Sequence, residues 1–132
     1  ISEDTGLEVE YLDGAPGVFS ARFAGEGCSY EDNNRKLISM LNGVPTEKRK
    51  AKFRCIACIA FPDGKIYTAE GTIDGYITTE MRGSAGFGYD PVFLVPEYGK
   101  TFAELGQEIK NKISHRAIAF EKVKKILLEI FP

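Results

Sequence analysis

Residues 51–72 read AKFRCIACIAF, PDG and KIYTAEGT in succession, and this stretch decides the fold. Ala51 to Phe61 and Lys65 to Thr72 are two strand-like runs, and Pro62-Asp63-Gly64 between them is a strong turn sequence, so the reading is a β-hairpin. Cys55 and Cys58 spell C-x-x-C inside the first run, but residues three apart on a strand face opposite sides of the sheet. Two thiols so placed cannot share a metal, and no second ligand pair stands elsewhere, so both are expected in the core.

Downstream of the hairpin, Asp74-Gly75 reads as another turn, followed by a short extended run from Tyr76 to Met81. The glycine-rich loop Gly83 to Pro91 then feeds the apolar strand Val92 to Val95. Thr101 is placed to cap a short helix over Phe102 to Leu105. A last helix starts near Ser114, with Ile118, Ala119, Val123, Ile126, Leu127 and Ile130 on one stripe. Upstream, Ser29-Tyr30-Glu31-Asp32 is a helix N-cap with acidic residues in its first turn, ahead of Leu37, Ile38, Met40 and Leu41, and Gly43 stops that helix. Gly14-Ala15-Pro16-Gly17 is a turn, and Asp4-Thr5-Gly6-Leu7 reads as a turn leading into an extended stretch from Leu7 to Tyr11. The order of elements gives a single α/β domain with a mixed sheet.

Composition narrows the functional classes. The 132 residues fit one domain, and 43% apolar residues with nine Phe and six Tyr suffice for a core. Seventeen basic against nineteen acidic residues leave a net charge of -2, which gives no general pull toward nucleic acid or a membrane surface. No run approaches the roughly 20 apolar residues of a membrane helix, and the N-terminus ISEDTGLEVE lacks signal-peptide character. Together with an odd cysteine count, these features lead to the expectation of a soluble, cytoplasmic protein.

Two segments carry recognisable chemistry. In Gly83 to Pro91 the glycines let backbone N–H groups approach a ligand, and Phe87 and Tyr89 are placed to stack on a planar ring. Lys110-Asn111-Lys112-Ile113-Ser114-His115-Arg116 puts cations, the only histidine, an amide and a hydroxyl where the last helix is expected to begin. A helix N-terminus adds its own positive end, so this is an anion site in outline. Glu3 and Asp4 form a carboxylate pair of the kind that holds Mg2+ opposite a phosphate.

Four blocks in order, Glu3-Asp4-Thr5-Gly6-Leu7, Ala15-Pro16-Gly17-Val18-Phe19-Ser20-Ala21-Arg22, Gly86-Phe87-Gly88-Tyr89-Asp90-Pro91 and Ile113-Ser114-His115-Arg116, resemble the inosine and xanthosine triphosphate pyrophosphatases that remove deaminated purine nucleotides. The resemblance implies an elongated mixed β-sheet flanked by helices, a homodimer, and Mg2+-assisted attack of water on the α-phosphorus of a purine nucleoside triphosphate. It implies Asp4 as metal ligand and general base, Glu3 as its metal partner, and Thr5 as a substrate contact. Phe87, Gly88, Tyr89 and Asp90 are implied as the base pocket, with Lys110, His115 and Arg116 contacting the base and Arg22 also in the cleft. Residues 1–132 would then be the larger, C-terminal part of such a protein, lacking an N-terminal segment that carries an Asn and Lys loop and a metal-binding Glu. A non-catalytic module that binds deaminated purine nucleotides is the alternative, and a purely structural domain is a third.

Overall fold

A computed structural model describes residues 2–84, 86 and 88–130, and the side chains of all of these except Val18 and Phe19. The hairpin stands as read: β2 (Lys50–Ala60) and β3 (Ile66–Ile77) pair antiparallel from Lys50↔Tyr76 to Ala60↔Ile66. Its turn is closed by Phe61 N–H to the Lys65 carbonyl at 2.9 Å, and the Asp63 carboxylate accepts from the Lys65 N–H at 3.0 Å. Burial alternates along β2, with Ala51, Phe53, Cys55, Ala57 and Ile59 facing inward. Cys55 and Cys58 therefore point to opposite faces, and both are free thiols.

β1 (Ser2–Val9) pairs antiparallel with β2 without interruption, from Ser2↔Cys58 to Val9↔Ala51. The turn expected at Asp4-Thr5-Gly6 is therefore mid-strand, because pairing with a long neighbour outweighs local turn preference. Asp74-Gly75 is likewise inside β3, in register with Lys52 and Ala51. β4 (Phe93–Val95) and β5 (Lys100–Thr101) complete a sheet of order β1-β2-β3-β4-β5. The domain is α/β as expected, but every strand pair among the described residues is antiparallel, so these strands contribute no parallel component. The β2–β3 turn is too short for the crossover that parallel neighbours require.

Helices cover one face. α1 (Tyr30–Met40) opens with a capping box in which Ser29 and Asp32 bond each other's backbone N–H. α2 (Phe102–Leu105) carries the same device from Thr101 and Glu104. α3 (Gln107–Ile113) and α4 (His115–Ile130) meet at Ser114, whose backbone is extended. α4 crosses β3 so closely at Gly71 that a Cβ there would overlap the His115 carbonyl oxygen, which fixes where α4 begins relative to the sheet. One core joins Leu7, Leu37, Phe53, Phe93 and Phe102, and a smaller one joins Ala57, Ile59, Ala69 and Val123 under α4.

Arg49 ties the end of α1 to the end of β3. It is 3% exposed; its Nε donates to the Ile77 carbonyl at 2.8 Å, Nη1 to those of Leu41 and Val44 at 2.7 and 3.2 Å, and Nη2 to that of Thr78 at 2.8 Å. Burial lowers its pKa, but a guanidinium keeps its charge at any ordinary pH. Replacing Arg49 by Met removes the guanidinium donor from the Ile77, Val44 and Thr78 carbonyls, while the Leu41 carbonyl keeps the Val44 N–H at 3.0 Å. The expected cost is on the order of 3 kcal/mol, seen as a melting midpoint lower by roughly 10 °C in a thermal scan.

Candidate functional site

A cleft of about 270 Å3 opens between two walls. One is the 3-10 helix Gly17–Arg22 with the start of α1, and the other is the Gly88–Asp90 turn with α3 and the first turn of α4. Its floor is Thr5, Gly6 and Leu7 of β1 with Phe53 of β2. Tyr89 spans the gap, its hydroxyl donating to the Ser20 carbonyl at 2.7 Å, and burial raises its pKa well above the usual phenol value.

A buried ion pair lines the cleft. Lys110 Nζ lies 2.6 Å from Asp90 Oδ2, and the two residues are 7% and 2% exposed. Lys110 leaves the last turn of α3, where the negative end of the helix favours a cation. It is not at the start of the final helix, as the sequence suggested; the chain breaks direction at Ser114 between the two helices. Lys110 Nζ also stands 5.5 Å from the centre of the Phe102 ring. Over Asp90 the loop is closed by Gly86 at φ +81°, where any Cβ would collide with the Asp90 carboxylate. The glycine there is a packing requirement of the ion pair.

α4 begins at the cleft. Ser114 Oγ accepts from the Ala117 N–H at 3.1 Å, as a capping serine should. His115 stacks on Phe53 with ring centres 4.8 Å apart and planes 15° apart, and Phe53 in turn packs on Phe93 and Phe102. His115 is 6% exposed, and its buried Nδ1 has no hydrogen-bond partner among the described residues. Burial, then the charges of Lys110 and Arg116, push its pKa down to about 4, so it enters the cleft as a neutral ring at physiological pH. Arg116 is exposed at the rim, with Nε 3.1 Å from Glu3 Oε2. The cleft thus offers an apolar, aromatic floor, a buried donor and acceptor, a neutral imidazole and a helix N-terminus, which suits a planar ligand with polar edges.

Of the residues singled out in the sequence, Thr5, Gly88, Tyr89, Asp90, Lys110, His115 and Arg116 come together here. Phe87 lies outside the described residues. Arg22 is exposed and does not line this cleft. Glu3 and Asp4 are consecutive on β1 and so face opposite sides of the sheet; Glu3 turns toward Arg116 and Cys55, whereas Asp4 is solvent-exposed. An exposed carboxylate fits Mg2+, which usually takes one or two carboxylates together with substrate phosphates. Glu3 points to the other face of the sheet and is paired with Arg116, so the two carboxylates do not converge on one point in this structure. Among the described residues there is no cluster of three or more His, Cys, Asp or Glu side chains able to hold a metal. Sequence reasoning missed Phe53, whose role as the floor under His115 exists only through strand pairing, and Asn33, a buried amide on α1.

The fold and cleft define a class: an α/β domain with an aromatic-floored, charge-edged pocket at the start of its last helix. The chain belongs to the Ham1 family, whose profile matches residues 1–126. It is 55% identical over 131 residues to the dITP/XTP pyrophosphatase of Desulforamulus reducens, covering 99% of this chain and 65% of that protein. It is 48% identical over 127 residues to the dITP/XTP pyrophosphatase of Bacillus subtilis, covering 96% and 64%. Among solved structures, the Staphylococcus aureus Ham1 protein superposes with a TM-score of 0.92 at 42% identity, over 96% of this chain and 65% of that one. A HAM1 protein from Coxiella burnetii gives 0.90 at 37% identity, over 97% and 66%. The chain therefore spans about two thirds of the length of the relatives it matches.

His115 sets a pH limit on the fold. Its pKa is about 4 when folded against 6.5 ordinarily, so the stability gained by keeping it neutral is complete above about pH 6.5 and is lost as pH falls through 4. Urea midpoints measured from pH 7.5 to 4 are expected to fall less steeply for His115→Phe, which keeps the stack on Phe53. Parallel profiles for the two proteins would show that His115 does not titrate in this way.

Proposed function

We propose that this chain is the base-recognising part of a nucleoside triphosphate pyrophosphatase that converts ITP, dITP and XTP to the monophosphate and pyrophosphate. The single observation that carries the reading is the Lys110–Asp90 ion pair beside neutral His115 in an aromatic-floored cleft. The names of the curated relatives support the same reaction. A 6-oxo purine offers a carbonyl acceptor beside a ring N–H donor, the complement of an ammonium and a carboxylate. Adenine presents the reverse pattern, and would leave buried groups of the cleft unpaired.

In this reading Gly88, Tyr89 and Asp90 hold the base from one side and Lys110, His115 and Arg116 from the other. Phe87 belongs with the first group by its place in the motif. Thr5 touches the substrate where β1 passes the cleft, and Arg22, exposed at the end of the 3-10 helix, is left to meet any part of the substrate that extends beyond it. Asp4, exposed on β1 outside the base cleft, is the base that would take the proton from the attacking water as the bond between the α-phosphorus and the pyrophosphate oxygen breaks. This requires the phosphates to extend out of the cleft past β1. Mg2+, when bound, would neutralise phosphate charge and favour attack at phosphorus. Residues 1–132 correspond in this reading to the larger, C-terminal part of the enzyme, acting in the cytoplasm as a homodimer on free nucleotides, without nucleic-acid or membrane partners. No helix among the described residues is long and apolar enough to cross a membrane.

Titrating inosine triphosphate with Mg2+ while following the melting point is expected to stabilise the chain, since a ligand that binds the native state must do so. Absence of any shift would remove the base pocket. In a protein that releases pyrophosphate, Asp4→Asn is expected to lower kcat by at least about 100-fold with little change in KM. Near-normal kcat would show that Asp4 has another role.

A further inference from the structure

α1 opens its second turn with two consecutive asparagines, each 2% exposed. Amides this deep are costly unless they are bonded. Asn33 directs all of its bonds to one stretch: Nδ2 donates to the Ala21 carbonyl at 3.1 Å, and Oδ1 accepts from the Ala24 N–H at 2.8 Å and from the Cys28 thiol at 3.2 Å. These bonds fasten the end of the Gly17–Arg22 helix to α1. That helix is a wall of the cleft, and Ser20 within it holds two other parts. Ser20 Oγ accepts from the Leu7 N–H of β1 at 3.0 Å, and its carbonyl takes the Tyr89 hydroxyl at 2.7 Å. Next to Asn33, Asn34 Nδ2 donates to the Gly88 carbonyl at 3.0 Å. Both walls of the cleft thus hang on neighbouring residues of one helix.

We propose that Asn33 is a positioning residue that sets the width of the base cleft by holding the Gly17–Arg22 wall against β1 and Tyr89. This rests on the reading of the cleft as a purine pocket. Asn33 touches the wall through an amide that donates on one side and accepts on the other, so the wall has one seat. Losing the donor side frees the Ala21 carbonyl, and with it Ser20 and the anchor of Tyr89. A residue that merely stabilised α1 would change the melting point and leave the cleft's affinity unaltered.

Asn33→Asp separates these roles. The variant is nearly isosteric and keeps the acceptor for Ala24, but sets a carboxylate oxygen against the Ala21 carbonyl. Once protonated, it regains an O–H donor at that position. Inosine monophosphate is titrated calorimetrically into the chain and into Asn33→Asp at pH 8 and at acidic pH, below the melting point of each. At pH 8 the variant is expected to bind about tenfold more weakly than the parent, a loss of about 1.4 kcal/mol, and once the carboxyl is protonated the gap is expected to close. Equal affinity at pH 8, or a loss that does not recover at an acidic pH where the infrared band of the introduced carboxyl shows it protonated, overturns the proposal. If the aspartate variant does not fold at pH 8, Asn33→Ser is read in its place, and parent-like affinity there overturns it equally. A parent chain that fails to bind inosine monophosphate overturns the purine-pocket reading instead, a result the variants cannot mimic.

Discussion

The buried Lys110–Asp90 ion pair is the constraint around which the cleft is organised. Two charges out of water cost several kcal/mol each unless geometry and neighbours compensate. Compensation here comes from a 2.6 Å contact, the end of α3 behind Lys110, and the Phe102 ring beside it. The pair in turn dictates what surrounds it. Gly86 must lack a side chain, α3 must end where it does, and the chain must break at Ser114 so that α4 starts at the cleft. The second cation effect falls on His115, which burial and two positive neighbours keep neutral.

The aromatic floor links this site to the core. Phe102 lies under Lys110 and Phe53 under His115, and both belong to the cluster that binds β4 to the sheet. Cleft and core therefore share side chains, so the position of the last helix and the shape of the pocket are fixed by the same packing.

Much of the fold was legible because its signals are local. The Pro62-Asp63-Gly64 turn and the Ser29 and Thr101 caps each depend on residues a few positions apart, and each stands where it was read; the α4 stripe is buried at Ala119 and Val123, partly buried at Ile118, Ile126 and Leu127, and exposed at Ile130. The turns expected at Asp4-Thr5-Gly6 and Asp74-Gly75 are strand interiors, because their conformation is set by distant partners on β2. The site divides in the same way. Thr5, Gly88 to Asp90, Lys110, His115 and Arg116 were found through short motifs and do converge. Glu3 and Asp4 look like a pair in one dimension and are separated by the alternation of a strand. Arg49 and Asn33 gave no signal, since a buried polar residue resembles a surface one until its partners are known.

The central claim is that the cleft distinguishes bases by the polarity of the edge presented to Lys110 and Asp90. The most direct test is a competition titration of inosine monophosphate against adenosine monophosphate, which share their sugar and phosphate. The account predicts a preference for inosine monophosphate of at least about 100-fold. Equal affinity for the two nucleotides would contradict it.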